Sequence, residues 1–448
     1  MSQTEGKIPP TGVRGLRGPR IFVSAYACEP GLGSEIGVGW HWVLEMSKYF
    51  DLWVLTRESN RARIEAWFKN NNITTKGETP DSQTSAQLPP YGGYGGLHFI
   101  YFDLPKWARF WKKGLRGVRT YYNIWTRLSN PLVKKTMIEN DINIFHHITY
   151  GNALWPVSKY GSSKTFIWGP IGGLETIPEE YSRHYEGKSK WIETVRRLAV
   201  KRAVMSKALR ERAQKAALIL CKTQDTLNLL PLKERDKAVL FTDVACEKNI
   251  SNSAKSKERQ NISSTLNLLA VGRLDSWRGF DLAILALTEA IKDQKSLNAH
   301  LNIVGKGDDL KRLQRIVKEN ALEQHVTFCG KVSKEEYQRL METTDVVVNA
   351  SLKEGAVTVS FDAMTMGKPL IALETGGYTR YFTPDYSVVI PKEDRKKTIS
   401  NIAKAIIKLA DPHLRMKMGE AAITASANLS WEKHGIEIRN LFERFEKQ

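Results

Sequence analysis

Residues 353–369 read KEGAVTVSFDAMTMGKP. An apolar run, DVVVN at 345–349, precedes them, and a second, PLIAL at 369–373, closes them. The pattern is strand, glycine loop, helix, strand. In a parallel sheet such a loop lies at the C-terminal edge, where ligands of open α/β sheets bind. Gly355 and Ala356, with Val357 after them, let the backbone approach a ligand closely. The unpaired N–H groups at the helix start suit an anionic phosphate. Glu354 sits in the loop, and Asp362 falls about two turns into the helix. Both carboxylates can then border one nucleotide-sized cleft and accept hydrogen bonds from sugar hydroxyls. The plainer alternative is a solvated loop charge and a helix-surface carboxylate.

Working outward, the same rhythm recurs on both sides. In the second half, 266–271, 299–304, 326–328, 345–349, 369–373 and 387–390 read as strands with helical patterns between them. In the first half the strand-like runs are 21–27, 52–56, 97–102, 142–149, 165–169 and 217–222. Helical patterns follow the first two, at 39–48 and 61–69. Residues 74–96 read as a long loop, and 248–264 (KNISNSAKSKERQNISS) as a linker or exposed loop. A chain of 448 residues is too long for one ordinary core. Strands alternating with helices predict an α/β fold with parallel sheets. Two Rossmann-like domains are therefore expected, at 20–258 and 265–430. The charged helix 431–447 is free to return to the first domain.

The motif E-G-x6-D-A-M-x2-G-K-P resembles the signature of the retaining glycosyltransferases of family four, also called group 1. Asp362 stands where that family usually has a second Glu. Residues 270–280 (AVGRLDSWRGF) extend the resemblance: Gly272 and Arg273 match, and Arg278 replaces the usual Lys. Two cations at a strand end can clamp a diphosphate, and an Arg can do so in bidentate fashion. Residues 303–310 (IVGKGDDL) and 326–336 (VTFCGKVSKEE) match in order and spacing, and Thr375-Gly376-Gly377 fits the family's sugar-side glycines. The first half is similar to a bacterial exopolysaccharide-like subgroup, through ACEPGLGSEIGVGW at 27–40 and IWGPIGG at 167–173. The resemblance implies a GT-B architecture, two facing Rossmann-like domains across a deep cleft. It also implies metal-independent transfer of a sugar from a nucleotide diphosphate donor to a saccharide or lipid-linked acceptor, with retention. Donor-binding residues would be Gly33, Ser34, Arg273, Arg278, Glu354, Gly355, Ala356, Val357 and Asp362. Glu354 and a strand-end histidine would serve catalysis. FHHITY at 145–150 offers two histidines on opposite faces of a strand. Register favours His146 and leaves His147 open.

No cofactor is expected, the nucleotide sugar being a substrate, and no metal. The sequence has no D-x-D, no His/Cys cluster at metal spacing and no P-loop. Gly31-x-Gly33 after a strand also suggests a dinucleotide fingerprint, but its third Gly falls one place late, at Gly37. Cys28, Cys221, Cys246 and Cys329 lack metal spacing, and three of them fall in or beside strands, which predicts buried free thiols in a reducing compartment. Residues 1–20 have no apolar core of a secretory signal.

The net charge is +19. Residues 1–240 hold 36 Lys/Arg against 21 Asp/Glu, a net +15, so most of it lies in the first half. Residues 106–119 (KWARFWKKGLRGVR) interleave six cations with Trp107, Phe110 and Trp111, and Tyr121, Tyr122 and Trp125 follow. Residues 188–215 hold ten cations against two acids. Such stretches suit an anionic membrane surface. A cytoplasmic protein is expected, with peripheral attachment to the inner face of the plasma membrane as an extension. No nucleic acid is expected as partner, since no recognised nucleic-acid module is present. The competing classes are a nucleic-acid-binding protein explained by charge alone, and an epimerase or phosphorylase on a similar double fold.

Overall fold

The computed structural model describes residues 18–31, 33–71, 96–109, 111, 117–247, 265–353 and 358–445. The expected loop 74–96 and linker 248–264 lie outside the described residues, apart from Gly96.

Two parallel sheets organise the chain. The first holds β1 (Arg20–Ser24), β2 (Asp51–Arg57), β3 (Leu97–Phe102), β4 (Ile144–His147), β5 (Thr165–Ile171), β6 (Ala216–Cys221) and β7 (Ala238–Leu240). Its order is β3-β2-β1-β4-β5-β6-β7. The second holds β8 (Leu266–Val271), β9 (Ala299–Val304), β10 (Val326–Gly330), β11 (Val346–Asn349), β12 (Leu370–Leu373) and β13 (Ser387–Ile390), in the order β10-β9-β8-β11-β12-β13. Each sheet reverses direction of winding beside its first strand. Ile21 pairs with both Leu52 and Ile144, while β8 lies between β9 and β11. Ligand crevices open at such switch points, beyond the C-terminal strand ends.

The central strands are continuous apolar runs because helices cover both faces. Four of the five residues of β1 are buried, and all four of β4 are. The chain forms an α/β fold of two Rossmann-like sheets. The helix Trp431–Glu443 follows the second sheet but packs on the first domain. Phe442 meets Phe50 at 5.6 Å between ring centres, His434 meets Trp42 at 5.1 Å, and Trp431 stacks on His41 at 4.8 Å.

Further links join the two halves. Tyr181 Oη donates to the Glu393 carbonyl at 2.6 Å, and Arg312 Nη1 reaches the His184 carbonyl at 3.5 Å. Arg312 also donates from Nε and Nη2 to the two Asp309 carboxylate oxygens, at 2.7 Å each, and from Nη1 to Asp281 at 3.3 Å.

Three sequence expectations change. The edge strand β7 is only three residues long and half-buried, too short to read as a strand. Cys329 is half-buried, unlike the buried Cys28, Cys221 and Cys246. Tyr121, Tyr122 and Trp125 are core residues of the Val118–Leu128 helix. They cannot sit at a membrane surface, although Trp107 is 78% exposed.

Candidate active site

At the switch point of the second sheet, the loop after β8 carries both predicted clamp residues. Arg273 is exposed, and its Nε and Nη2 hold Asp275 Oδ2 at 2.7 and 2.6 Å. Arg278 lies with its guanidinium carbon 4.3 Å from the centre of the Trp277 ring. Lys353 approaches the same ring at 5.3 Å and pairs with Glu193 of the first domain. Burial, with Arg196 nearby, pulls the Lys353 ammonium down to about 8. Gly279 shapes this loop: its φ is +68°, and a Cβ would collide with the Ala350 carbonyl. Only glycine lets the β8 loop lie against the end of β11.

Asp362 belongs to the helix Thr358–Thr365. Its Oδ2 accepts a hydrogen bond from Tyr337 Oη at 2.8 Å. Burial pushes its carboxyl up to about 6. Glu354, Gly355, Ala356 and Val357, which join Lys353 to this helix, lie outside the described residues, as does the Ser34 side chain.

At the switch point of the first sheet, Gly33 precedes the helix Ser34–Ser47, and among the described residues no atom lies within 4 Å of the place a Cβ would take. The backbone is open there to a ligand. Glu35, next on the helix, accepts the Tyr150 N–H at 2.5 Å and so ties the loop after β1 to the loop after β4. Glu175 does the same for the loops after β5 and β6. It accepts from Gly173 N–H and from the Thr223 and Thr226 hydroxyls, each at 2.7 Å. Among these loops stands Lys222, 2.5 Å from Asp243 Oδ2. Desolvation works against the Lys222 charge, but Asp243 and Glu35 outweigh it and hold the ammonium protonated. Burial in turn raises the Glu35 carboxyl.

This charged floor meets the second domain. Thr242 N–H donates to Tyr381 Oη at 3.0 Å, and a Cβ on Gly377 would lie 3.6 Å from the Lys222 carbonyl. Sequence reasoning missed Glu35, Lys222, Asp243 and Glu175. One signal was available: Lys222 directly follows the apolar strand AALILC, at the edge where ligand-side residues stand.

The histidine pair lies on opposite faces of β4. His146 is fully buried, with Nε2 2.8 Å from the Gly169 carbonyl and its ring enclosed by Trp42 and Phe442. That placement gives the favoured His146 a packing role in the core and no opening toward a substrate. His147 is buried on the other face, 3.4 Å from Tyr122 Oη. Desolvation pulls His146, His147 and His434 from 6.5 to about 3, 4 and 3. Each is neutral in the fold and gains its proton on unfolding. Their contribution to stability is full above pH 6.5 and is lost as the pH falls toward these values. His434→Phe should therefore flatten the acid-side fall of unfolding free energy by about 1.4 kcal/mol per pH unit. Urea titrations near neutrality and near roughly pH 5 measure that slope; an unchanged slope contradicts the burial argument.

The chain resembles known proteins in sequence and in fold. Residues 252–425 match the family model of glycosyl transferases group 1. The match falls in the second half of the chain, over the second sheet. An uncharacterised glycosyltransferase of Methanocaldococcus jannaschii is 29% identical over 216 residues, 48% of this chain and 54% of that protein. The alpha-D-kanosaminyltransferase of Streptomyces kanamyceticus is 24% identical over 257 residues, 57% and 63% of the two chains. The chain thus spans about half to two-thirds of the length of these curated relatives. Among solved structures, the lipopolysaccharide outer core galactosyltransferase WaaB superposes with a TM-score of 0.57 at 14% identity, over 96% of this chain and 100% of that one. Anabaena HepE, solved in complex with UDP and glucose, gives 0.52 at 14% identity over 95% and 100%. These likenesses establish the GT-B fold. The matched region contains β8 to β13, Arg273, Arg278 and Asp362.

Proposed function

We propose that the chain transfers a sugar from a nucleoside diphosphate donor to a saccharide or lipid-linked acceptor, with retention and without a metal. The observation that carries this is the pair Arg273 and Arg278 on the loop after β8, at the switch point of the second sheet. Two guanidinium groups there can neutralise a diphosphate as it leaves. The binding of UDP by HepE supports the donor class. Glu354 and Asp362 take the donor hydroxyls, and the open backbone at Gly33 faces the phosphates.

In the reaction the bond from the anomeric carbon to the phosphate oxygen breaks, and the diphosphate leaves with the electron pair. The acceptor oxygen bonds to the anomeric carbon on the same face, and its proton passes to the departing phosphate. No side chain is required as a nucleophile. His146, sealed in the core, acts here by supporting the sheet.

The test is product analysis by NMR in the presence of EDTA. A product with the donor's anomeric configuration, formed at an undiminished rate, supports the reading. Inverted product contradicts retention, and a rate that EDTA abolishes and Mg²⁺ restores contradicts the charge clamp. Asp362→Ala should raise the donor KM about tenfold, the effect of losing a hydrogen bond to a charged group. Asp362→Glu should keep it near the wild-type value. A donor KM unchanged in Asp362→Ala removes this residue from the site.

A further inference from the structure

The helix Gly187–Val204 is built inside out. Its inward face is mostly charged. Glu193 pairs with Lys353. Arg196 Nε and Nη2 reach the Glu175 and Gly173 carbonyls at 3.3 and 3.4 Å. Arg197 binds Glu179 at 3.3 Å and the Ser182 hydroxyl at 2.9 Å. Only Val200 adds a buried apolar side chain to that face. The outward face carries the apolar side chains instead: Trp191 is 69% exposed, Ile192 52%, Val195 41% and Leu198 63%. Trp191, Val195, Leu198 and Arg202 are spaced four, three and four apart, which makes one stripe. Met205, 69% exposed, continues it at the helix end.

Hydrophobic burial would turn this stripe inward if the chain alone decided. The ion pairs of Glu193, Arg196 and Arg197 hold it outward, so among the described residues nothing covers it. The charges beside it have one sign. Lys188, Lys190, Lys201 and Arg202 are all exposed, and no acidic partner is found for them among the described residues. The helix has a single acid, Glu193, and that residue faces in.

We propose that this helix seats on an anionic lipid surface, with Trp191, Ile192, Val195 and Leu198 at the depth of the headgroups and the four cations against lipid phosphates. Charge complementarity selects this occupant. A second copy of the chain would bring cations against cations. A nucleic acid would find aliphatic side chains, which do not stack on bases, along the middle of the stripe. An 18-residue helix is about 27 Å long and can lie in the interface plane. Through Glu193 and Lys353 it also touches the segment leading to Glu354. A docked membrane would therefore lie one helix diameter, about 10 Å, from Lys353. The inference goes beyond the proposed transfer and stands without it.

Flotation of the full chain with phosphatidylcholine vesicles, with and without phosphatidylglycerol, tests the proposal. Binding should require phosphatidylglycerol and weaken with salt. Lys190→Glu with Lys201→Glu and Arg202→Glu should lower vesicle affinity by about a hundredfold. Trp191→Ser with Leu198→Ser should lower it by at least about tenfold. Both variants change exposed side chains only, so their thermal midpoints should match the wild type. Three outcomes overturn the proposal: no wild-type binding to anionic vesicles at low salt, binding that both variants keep, or a stripe that drives self-association or DNA binding and leaves vesicles untouched. None of these bears on turnover of a nucleotide sugar in solution, which tests the transfer reading separately.

Discussion

Arg273→Ala is expected to slow sugar transfer by roughly thirty- to a thousandfold, a loss of about 2–4 kcal/mol of transition-state stabilisation. The guanidinium is exposed beyond the end of β8, and among the described residues its ion-pair partner is one carboxylate on its own loop, Asp275. A departing diphosphate carries more charge than a single carboxylate and can compete for this cation. The contact strengthens as the glycosidic bond breaks, so kcat should fall more than donor KM rises. Arg278→Lys should be milder, because a point charge remains beside Trp277. Steady-state kinetics on both variants measure the difference. Near-full transfer by folded Arg273→Ala would remove the clamp from the mechanism.

Lys222→Met should cause the largest loss of stability. Lys222 is the cation between Asp243 and Glu35, and all three side chains are withdrawn from water. Removing it leaves two carboxylates buried without compensation, which typically costs about 3–5 kcal/mol. The thermal midpoint should fall by several degrees. Adding Asp243→Leu should recover part of the loss, since an apolar pair of similar size avoids the uncompensated charge. An unchanged midpoint in Lys222→Met would show that water already reaches this floor.

The architecture was legible because central parallel strands announce themselves. IFVS and VVV are buried on both faces, so they read as unbroken apolar runs between glycine loops. β7 was not, since three half-buried residues carry no such signal. Arg273 and Arg278 stood out because they follow a strand-like run in the order G-R, then R-G, which resembles the family pattern. Glu35 and Lys222 did not. Their meaning comes from a shared surroundings formed by residues 187 positions apart in the chain, and local pattern cannot supply that. His146 was preferred by register, which fixes the face of a strand but not what covers that face. Trp42 and Phe442 cover it, the second brought back by a helix from the far end of the chain. The Gly187–Val204 helix is a further case. The sequence reading took only its cations, and ion pairs to Glu175, Glu179 and Lys353 decide that its apolar stripe faces outward.

The central claim is that the matched region binds a nucleoside diphosphate sugar through the loop after β8. The most direct measurement is thermal unfolding of wild type and Arg273→Ala against a panel of UDP-, GDP-, ADP- and dTDP-sugars. The account predicts that at least one raises the wild-type midpoint and is turned over to its nucleoside diphosphate, and that Arg273→Ala loses most of that shift. If no nucleotide sugar stabilises the wild type while random-sequence DNA binds it in a salt-dependent manner, the account is contradicted.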